Sequence, residues 1–134
     1  MSIIISSKQK DLYREIMTPE IDFVGIINTR GRLVQSLGND CIDMPREQRE
    51  MFFMKIALRT AMQRDFDEYL EPVNYCMTQR GDRKFISIPT FDNNTVLAVI
   101  KDYSDHEGYV KNIIQALKDS NISLEIFSPK EVKP

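Results

Sequence analysis

The sequence has few of the residues from which catalytic and metal sites are built. Its 134 residues include two cysteines, one histidine and no tryptophan. Cys41 and Cys76 are too few for a disulfide framework and fit a reducing compartment. A lone histidine, His106, does not supply the ligand set of a zinc site, and no glycine-rich phosphate loop or dinucleotide fingerprint is present. We therefore expect no catalytic residues, no metal and no cofactor, and a protein that is not an enzyme.

An excess of positive charge and long apolar runs are also missing. Lysine and arginine number 18 against 20 acidic residues, which gives a formal net charge of −2. Nucleic acid binding normally requires a basic patch or stripe, so we expect no nucleic acid partner. No run approaches the roughly 20 apolar residues of a membrane span, and the isoleucines near the start form too short a run for a signal peptide. The sequence predicts a cytoplasmic protein without a membrane partner.

The composition is sufficient for one folded domain. Hydrophobic residues make up 42% of the chain, with only five glycines and six prolines. Typical domains have about 100–150 residues, so the chain fits a single core. We predict one domain over residues 1–127 and a polar C-terminal tail over residues 128–134.

The first half of the chain predicts a helix, a hairpin and a long helix. A helix is expected to follow Ser6 and Ser7 and to end before Pro19. Two antiparallel strands then surround a turn at Gly31, and Gly25 inside the first strand predicts close approach of another group. A segment without internal glycine or proline, residues 45–70, predicts one continuous helix.

The second half predicts a three-stranded meander and a last helix. Apolar runs begin at Val73, Lys84 and Thr95, with turns between them, and Pro89 fits only near a strand end. A capping-box pattern at residues 104–107 opens the last helix. The predicted order is α-β-β-α-β-β-β-α, an α+β fold with a five-stranded antiparallel sheet.

The long helix carries apolar residues on two sides. At about 100° per residue, one broad stripe is predicted to cover the sheet; it consists of Met51, Met54, Leu58, Ala61, Met62, Phe66 and Tyr69. A second set projects to the opposite side and consists of Phe53, Ile56, Ala57 and Thr60. Either another part of the chain covers this set, or it forms the interface of a homodimer, because twofold homodimers are the commonest oligomers.

Two further sets of residues leave alternatives open. Flexible methionine side chains could line a ligand pocket between the sheet and the long helix, in a small-molecule sensor; these are Met51, Met54, Met62 and Met77. Five cations could form a polar rim around a contact, bind an anionic ligand or simply keep the protein soluble; these are Arg59, Arg64, Arg80, Arg83 and Lys84.

The order of elements is similar to that of the roadblock (dynein light-chain) domain, which is one of the profilin-like folds. The hairpin "FVGIINTRGRLV" looks like the start of that domain, and "KFISIPTFDNNTVLAVI" looks like its closing strand pair. The hairpin followed by "ALRTAMQRDFDEYLEPVNY" also resembles a group of small archaeal proteins.

This resemblance implies a function as well as a fold. Roadblock domains typically pair through the long helix and an adjacent strand, so Phe53, Ile56 and residues 73–78, with Val73 and Tyr75, would line a dimer seam. They act as scaffolds or regulators of small GTPases and signalling assemblies. The resemblance therefore implies a non-catalytic homodimeric interaction module with a small GTPase or another protein as its partner.

Overall fold

The computed structural model describes residues 18–39, 41–90, 92–101 and 106–120, with side chains in the last range described as far as residue 116. The predicted first helix, the capping residues 104 and 105 and the tail lie outside the described residues. The strands are β1 (Ile21–Ile27), β2 (Leu33–Gly38), β3 (Cys76–Arg80), β4 (Arg83–Pro89) and β5 (Thr95–Lys101). The helices are α1 (Arg46–Arg64), α2 (Asp67–Leu70) and α3 (His106–Ser120).

The five strands form one antiparallel sheet in the order β2-β1-β5-β4-β3. The predicted α+β fold is confirmed. β1 and β5 lie side by side inside the sheet, and nearly every residue of both strands is buried. Such continuous burial requires cover on both faces of the sheet. α1 supplies it on one face and α3 on the other.

The face under α1 holds one of two apolar clusters. Phe53 and Ile56 of α1 pack there against alternate residues of the central strands. The buried members of this cluster are Phe23, Ile27, Ile42, Phe53, Ile56, Leu97 and Val99.

The face under α3 holds the second cluster. Val110 and Ile113 of α3 are buried there, and Tyr109 and Ile114 pack beside them. The strand residues of this cluster are Ile21, Val24, Ile26, Ile86, Ile88, Val96, Ala98 and Ile100. The described side chains of α3 therefore present one apolar face to the sheet.

Three predicted backbone features are confirmed. A Cβ atom at Gly25 would lie 2.6 Å from Cδ1 of Leu33 and 2.9 Å from a ring carbon of Phe23, so the predicted close approach is real. Gly31 has φ +80°, a conformation that favours glycine. Pro89 is the last residue of β4, a strand-end position at which proline is tolerated.

One carboxylate joins three strands. Asp22 lies where the register of β1 against β5 shifts, and it faces the opposed cations Arg83 and Lys101. Lys101 Nζ donates to Asp22 Oδ1 at 2.5 Å and Arg83 Nε donates to Oδ2 at 3.1 Å. The Lys101 ammonium, followed by the Arg83 guanidinium, lowers the pKa of Asp22 although burial raises it. The ionised carboxylate thus offsets repulsion between two like charges on neighbouring strands.

The long helix is shorter than the sequence predicted. α1 ends at Arg64, and a separate turn of helix, α2, follows. The N–H groups of Asp65 and Phe66 donate to carbonyls three residues back, at 3.2 Å, which tightens the helix end. Arg64 also donates to the Thr90 carbonyl oxygen at 2.8 Å. The prediction of one helix over residues 45–70 is wrong because propensity alone does not report this tertiary contact.

Candidate interaction surface

The two apolar sides of α1 are exchanged relative to the prediction: the side predicted to point away from the sheet faces it, and the side predicted to cover the sheet is exposed. Phe53, Ile56 and Thr60 face the sheet and are 3%, 7% and 3% exposed. Thr60 satisfies its hydroxyl within the helix by donating to the Ile56 carbonyl oxygen at 3.1 Å. Ala57 packs at the edge of the same cluster. These residues were predicted to form a homodimer interface, but the core of their own chain already covers them.

The residues predicted to cover the sheet lie on the outer side of α1. We call four of them the methionine stripe: Met51, Met54, Leu58 and Met62, which are 49–57% exposed. They are separated by three or four positions, the spacing that aligns side chains along one face of a helix. Phe66 and Tyr69 lie beyond the end of α1 and are also exposed. The outer face of the helix therefore carries a row of exposed apolar side chains.

Strand β3 forms one edge of the sheet near the end of α1. Within the described part of the chain, β3 pairs only with β4. Gln63 Nε2 donates to Cys76 Sγ at 3.1 Å, which holds the last turn of α1 against the start of β3. Met77 is 36% exposed on this strand. Among the described strands, the edge of β3 that has no partner therefore lies beside the last turn of α1.

The two predicted interface residues before β3 have contacts inside the chain. Tyr75 packs against the α3-side cluster, and its ring meets that of His106 edge-on with centroids 5.8 Å apart. Val73 is half-buried. The side chain of Tyr75 is therefore occupied by contacts within its own chain. Along this edge of the described sheet, only β3 itself is left to contact a partner.

The four methionines predicted to line a pocket do not come together between the helix and the sheet. Met51, Met54 and Met62 lie on the outer side of α1, which faces away from the sheet. The described residues do contain a cavity of about 610 Å³, which we call the arginine groove. Its lining includes Met54 but is otherwise different: Asn28, Arg30, Gly31, Arg32, Leu33, Arg46, Arg49, Glu50 and Phe53.

The β1–β2 turn forms one wall of the arginine groove, and the first turns of α1 form the other. Asn28 Oδ1 accepts the N–H groups of Arg30 at 2.9 Å and Arg32 at 3.0 Å. A Cβ atom at Gly31 would lie 2.7 Å from Cα of Met54, so the turn rests directly on the helix backbone. These contacts fix the two walls relative to each other.

The cations that the sequence singled out serve other purposes. Arg59 donates to Ser87 Oγ at 3.0 Å, Arg64 binds the Thr90 carbonyl and Arg83 binds Asp22. Lys84 Nζ lies 3.5 Å from His106 Nδ1. Three of the five therefore tie elements of the fold together. The groove arginines were missed because the two short stretches that carry them, "TRGR" and "REQR", show no sign in sequence that they converge.

The described residues offer no assembled metal site. No group of three or more His, Cys, Asp or Glu side chains comes together within them. Among the described helices, none combines the length and apolar character needed to cross a membrane.

Comparison with solved structures identifies the fold. A Roadblock/LC7 domain from Streptomyces avermitilis matches with a TM-score of 0.63 at 8% identity, over 86% of this chain and 92% of that one. MglB from Myxococcus xanthus matches with a TM-score of 0.63 at 14% identity, over 90% and 91% of the two chains. MglB in a tetrameric arrangement matches with a TM-score of 0.61 at 8% identity, over 95% and 94%.

These comparisons agree with the fold that the resemblance predicted. At such low identity they show the fold alone, which is that of the Roadblock/LC7 domain. No protein-family model matches the chain. No curated protein matches its sequence.

Proposed function

We propose that this chain, which has the Roadblock/LC7 fold, is a non-catalytic interaction module that pairs with a second copy of itself. The observation that carries the proposal is the methionine stripe, in which four large apolar side chains keep about half of their surface in water. Apolar patches of this kind on the surface of soluble proteins commonly mark interaction sites. The proposed seam is therefore the outer face of α1, in place of the Phe53 side that the sequence suggested.

The size of the stripe suits a contact between two copies. Fully burying a leucine or methionine side chain contributes about 1.5–3 kcal/mol, so a half-exposed one has on the order of 1 kcal/mol left to gain. A twofold contact buries the stripe of both copies. The eight side chains together supply roughly 8 kcal/mol, and association costs at least about 4 kcal/mol. Micromolar affinity, about 8 kcal/mol net, therefore requires contacts in addition to the stripe.

Strand β3 supports the same arrangement. An exposed strand edge presents unpaired N–H and C=O groups, which a second strand can satisfy. Because Gln63 holds the end of α1 against Cys76, a partner seated on the methionine stripe also lies next to this edge. Pairing of β3 with its copy would add main-chain hydrogen bonds to the apolar contact.

The experiment compares two single charges introduced on different helices. Leu58→Asp places a carboxylate in the middle of the stripe, where pairing would bury it without a partner. Asn112→Asp adds the same charge to the exposed side of α3 and serves as the matched control. We expect the wild type and the control to sediment as two chains at micromolar concentration, and Leu58→Asp to sediment as one chain with an unchanged circular dichroism spectrum.

Two results would contradict pairing through the methionine stripe. One is a wild-type mass of a single chain across the micromolar range. The other is a two-chain mass that survives Leu58→Asp.

The second part of the proposal concerns the partner of the pair. The resemblance to roadblock domains points to a small GTPase or a signalling assembly. Wild type and Leu58→Asp can serve as paired baits in extract supplemented with GDP or a non-hydrolysable GTP analogue. We expect a small GTPase to be retained by the wild type only, and to depend on the nucleotide; nucleotide-independent retention by both baits contradicts this partner.

A further inference from the structure

The arginine groove gathers positive charge on a chain whose net charge is negative. Arg30 and Arg32 come from the β1–β2 turn, and Arg46 and Arg49 come from the first turn of α1. The lining contains one acid, Glu50, whose Oε2 already lies 3.3 Å from Arg46 Nε. Four arginines and one glutamate therefore line a single concave site.

Two of these arginines are held in place without being neutralised. Arg30 and Arg32 are exposed, and their backbone N–H groups bind Asn28 Oδ1. Their side chains form no hydrogen bond or ion pair with other parts of the described chain. Since the turn is fixed by its backbone and by the contact of Gly31 with α1, these side chains project from a preformed base.

The volume and the lining of the groove suit a ligand larger than an inorganic ion. A volume of about 610 Å³ lies in the range of small-molecule sites. Leu33 and Met54 add apolar surface to the lining, whereas Phe53 is only 3% exposed and the Arg49 guanidinium lies 5.1 Å from the centre of its ring. An organic group can pack on this surface while its charged end meets the arginines.

We propose that the arginine groove binds an organic diphosphate or triphosphate. The planar guanidinium group donates two parallel hydrogen bonds to phosphate oxygens, and several such groups match a compact ligand with several negative charges. This site lies within one chain and does not depend on pairing.

Calorimetric titration with three probes tests the ligand class. ADP carries the diphosphate and an organic group, pyrophosphate carries the charge alone, and adenosine carries the organic group alone. We expect saturable binding of ADP and pyrophosphate, tighter for ADP, weakening as salt rises, and no binding of adenosine. Absence of saturable ADP and pyrophosphate binding at millimolar concentration overturns the proposal, as does equal binding of adenosine.

A matched pair of double variants locates the site. Arg30→Ala/Arg32→Ala removes two exposed cations from the groove, and Arg80→Ala/Lys111→Ala removes two exposed cations elsewhere. We expect the first to weaken ADP binding at least about tenfold, because charge-assisted hydrogen bonds are lost, and the second to change it less than about twofold. Equal weakening by both variants would show binding to general surface charge and overturn the proposal.

One more variant separates this site from the proposed pairing. Leu58 does not line the groove, although Met54 belongs to both the groove and the methionine stripe. Leu58→Asp is therefore expected to bind ADP at least as tightly as the wild type, because pairing would bury Met54 beside the groove. An acidic segment of the chain, residues 65–71, could instead enter the groove of a second copy. In that case Arg30→Ala/Arg32→Ala lowers the two-chain mass and the wild type binds no ADP, an outcome that rejects the ligand site.

Discussion

Gly31 shows how one residue positions two elements. Its φ of +80° allows the β1–β2 turn to close, and its missing side chain allows the turn to lie against Met54 of α1. Gly81, in the β3–β4 turn, also has a positive φ, +59°, but a Cβ atom there would meet nothing within 4 Å. Both glycines are therefore required by a positive φ, but only Gly31 is also required by close packing.

Replacing each glycine by alanine tests this difference. Gly81→Ala is expected to lower the free energy of unfolding by about 1 kcal/mol, the cost of a left-handed backbone with a side chain. Gly31→Ala is expected to cost at least about 1–3 kcal/mol more, because the new methyl group overlaps the backbone of α1. Urea unfolding of both variants at one protein concentration provides the measurement, and equal losses would show that the turn does not rest on the helix.

The residue scale also explains why some sequence predictions succeeded. Gly31 and Pro89 were predicted correctly because each depends on its own backbone geometry. Gly25 was predicted correctly because a glycine inside a strand leaves space that a neighbouring side chain can occupy. The partners of Asp22 could not be predicted in the same way. They are 61 and 79 positions away in the chain and meet it only when β4 and β5 enter the sheet.

At the scale of elements, α1 is apolar on two opposite sides, and adjacent residues belong to different sides. Phe53 contacts the sheet and is 3% exposed, whereas Met54 is 54% exposed on the stripe. Helical periodicity established that both sides exist. It did not establish which one the sheet covers, because counting apolar residues favours the longer methionine-containing set.

Alanine substitutions at Phe53 and Met54 test which side of α1 faces the sheet. In the Leu58→Asp background, Phe53→Ala is expected to cost about 3–5 kcal/mol of unfolding free energy, because it opens a cavity between α1 and the sheet. Met54→Ala is expected to change stability by no more than about 0.5 kcal/mol, as for other exposed positions. Chemical denaturation distinguishes the two, and a larger loss at Met54 than at Phe53 would restore the face assignment that the sequence suggested.

At the scale of the whole molecule, the sheet has a protected centre and two different edges. β5 lies between β1 and β4 and is covered on both faces. Among the described strands, β2 and β3 form the edges, and only β3 adjoins the end of α1. The proposed pairing therefore protects one edge and leaves the other unchanged.

Amide hydrogen exchange can detect this asymmetry. We expect β5 to exchange slowest, because its amides open only with global unfolding. Comparison of wild type with Leu58→Asp is expected to show at least about tenfold faster exchange in β3 of the variant, with β2 as the internal control. Equal changes in β2 and β3, or no change in either, would argue against β3 as part of the seam.

The sequence by itself determined the fold class, the order of the described strands along the chain, the turns and the presence of two apolar sides on the long helix. These features follow from local backbone preferences and from the spacing of apolar residues, which every segment carries with it. Only the tertiary structure decided that Phe53 and Ile56 face the sheet, that the methionine stripe faces outward, and that four arginines from two segments border one groove. Those outcomes depend on contacts between residues that are distant in the chain, and a single sequence does not record which distant surfaces will meet.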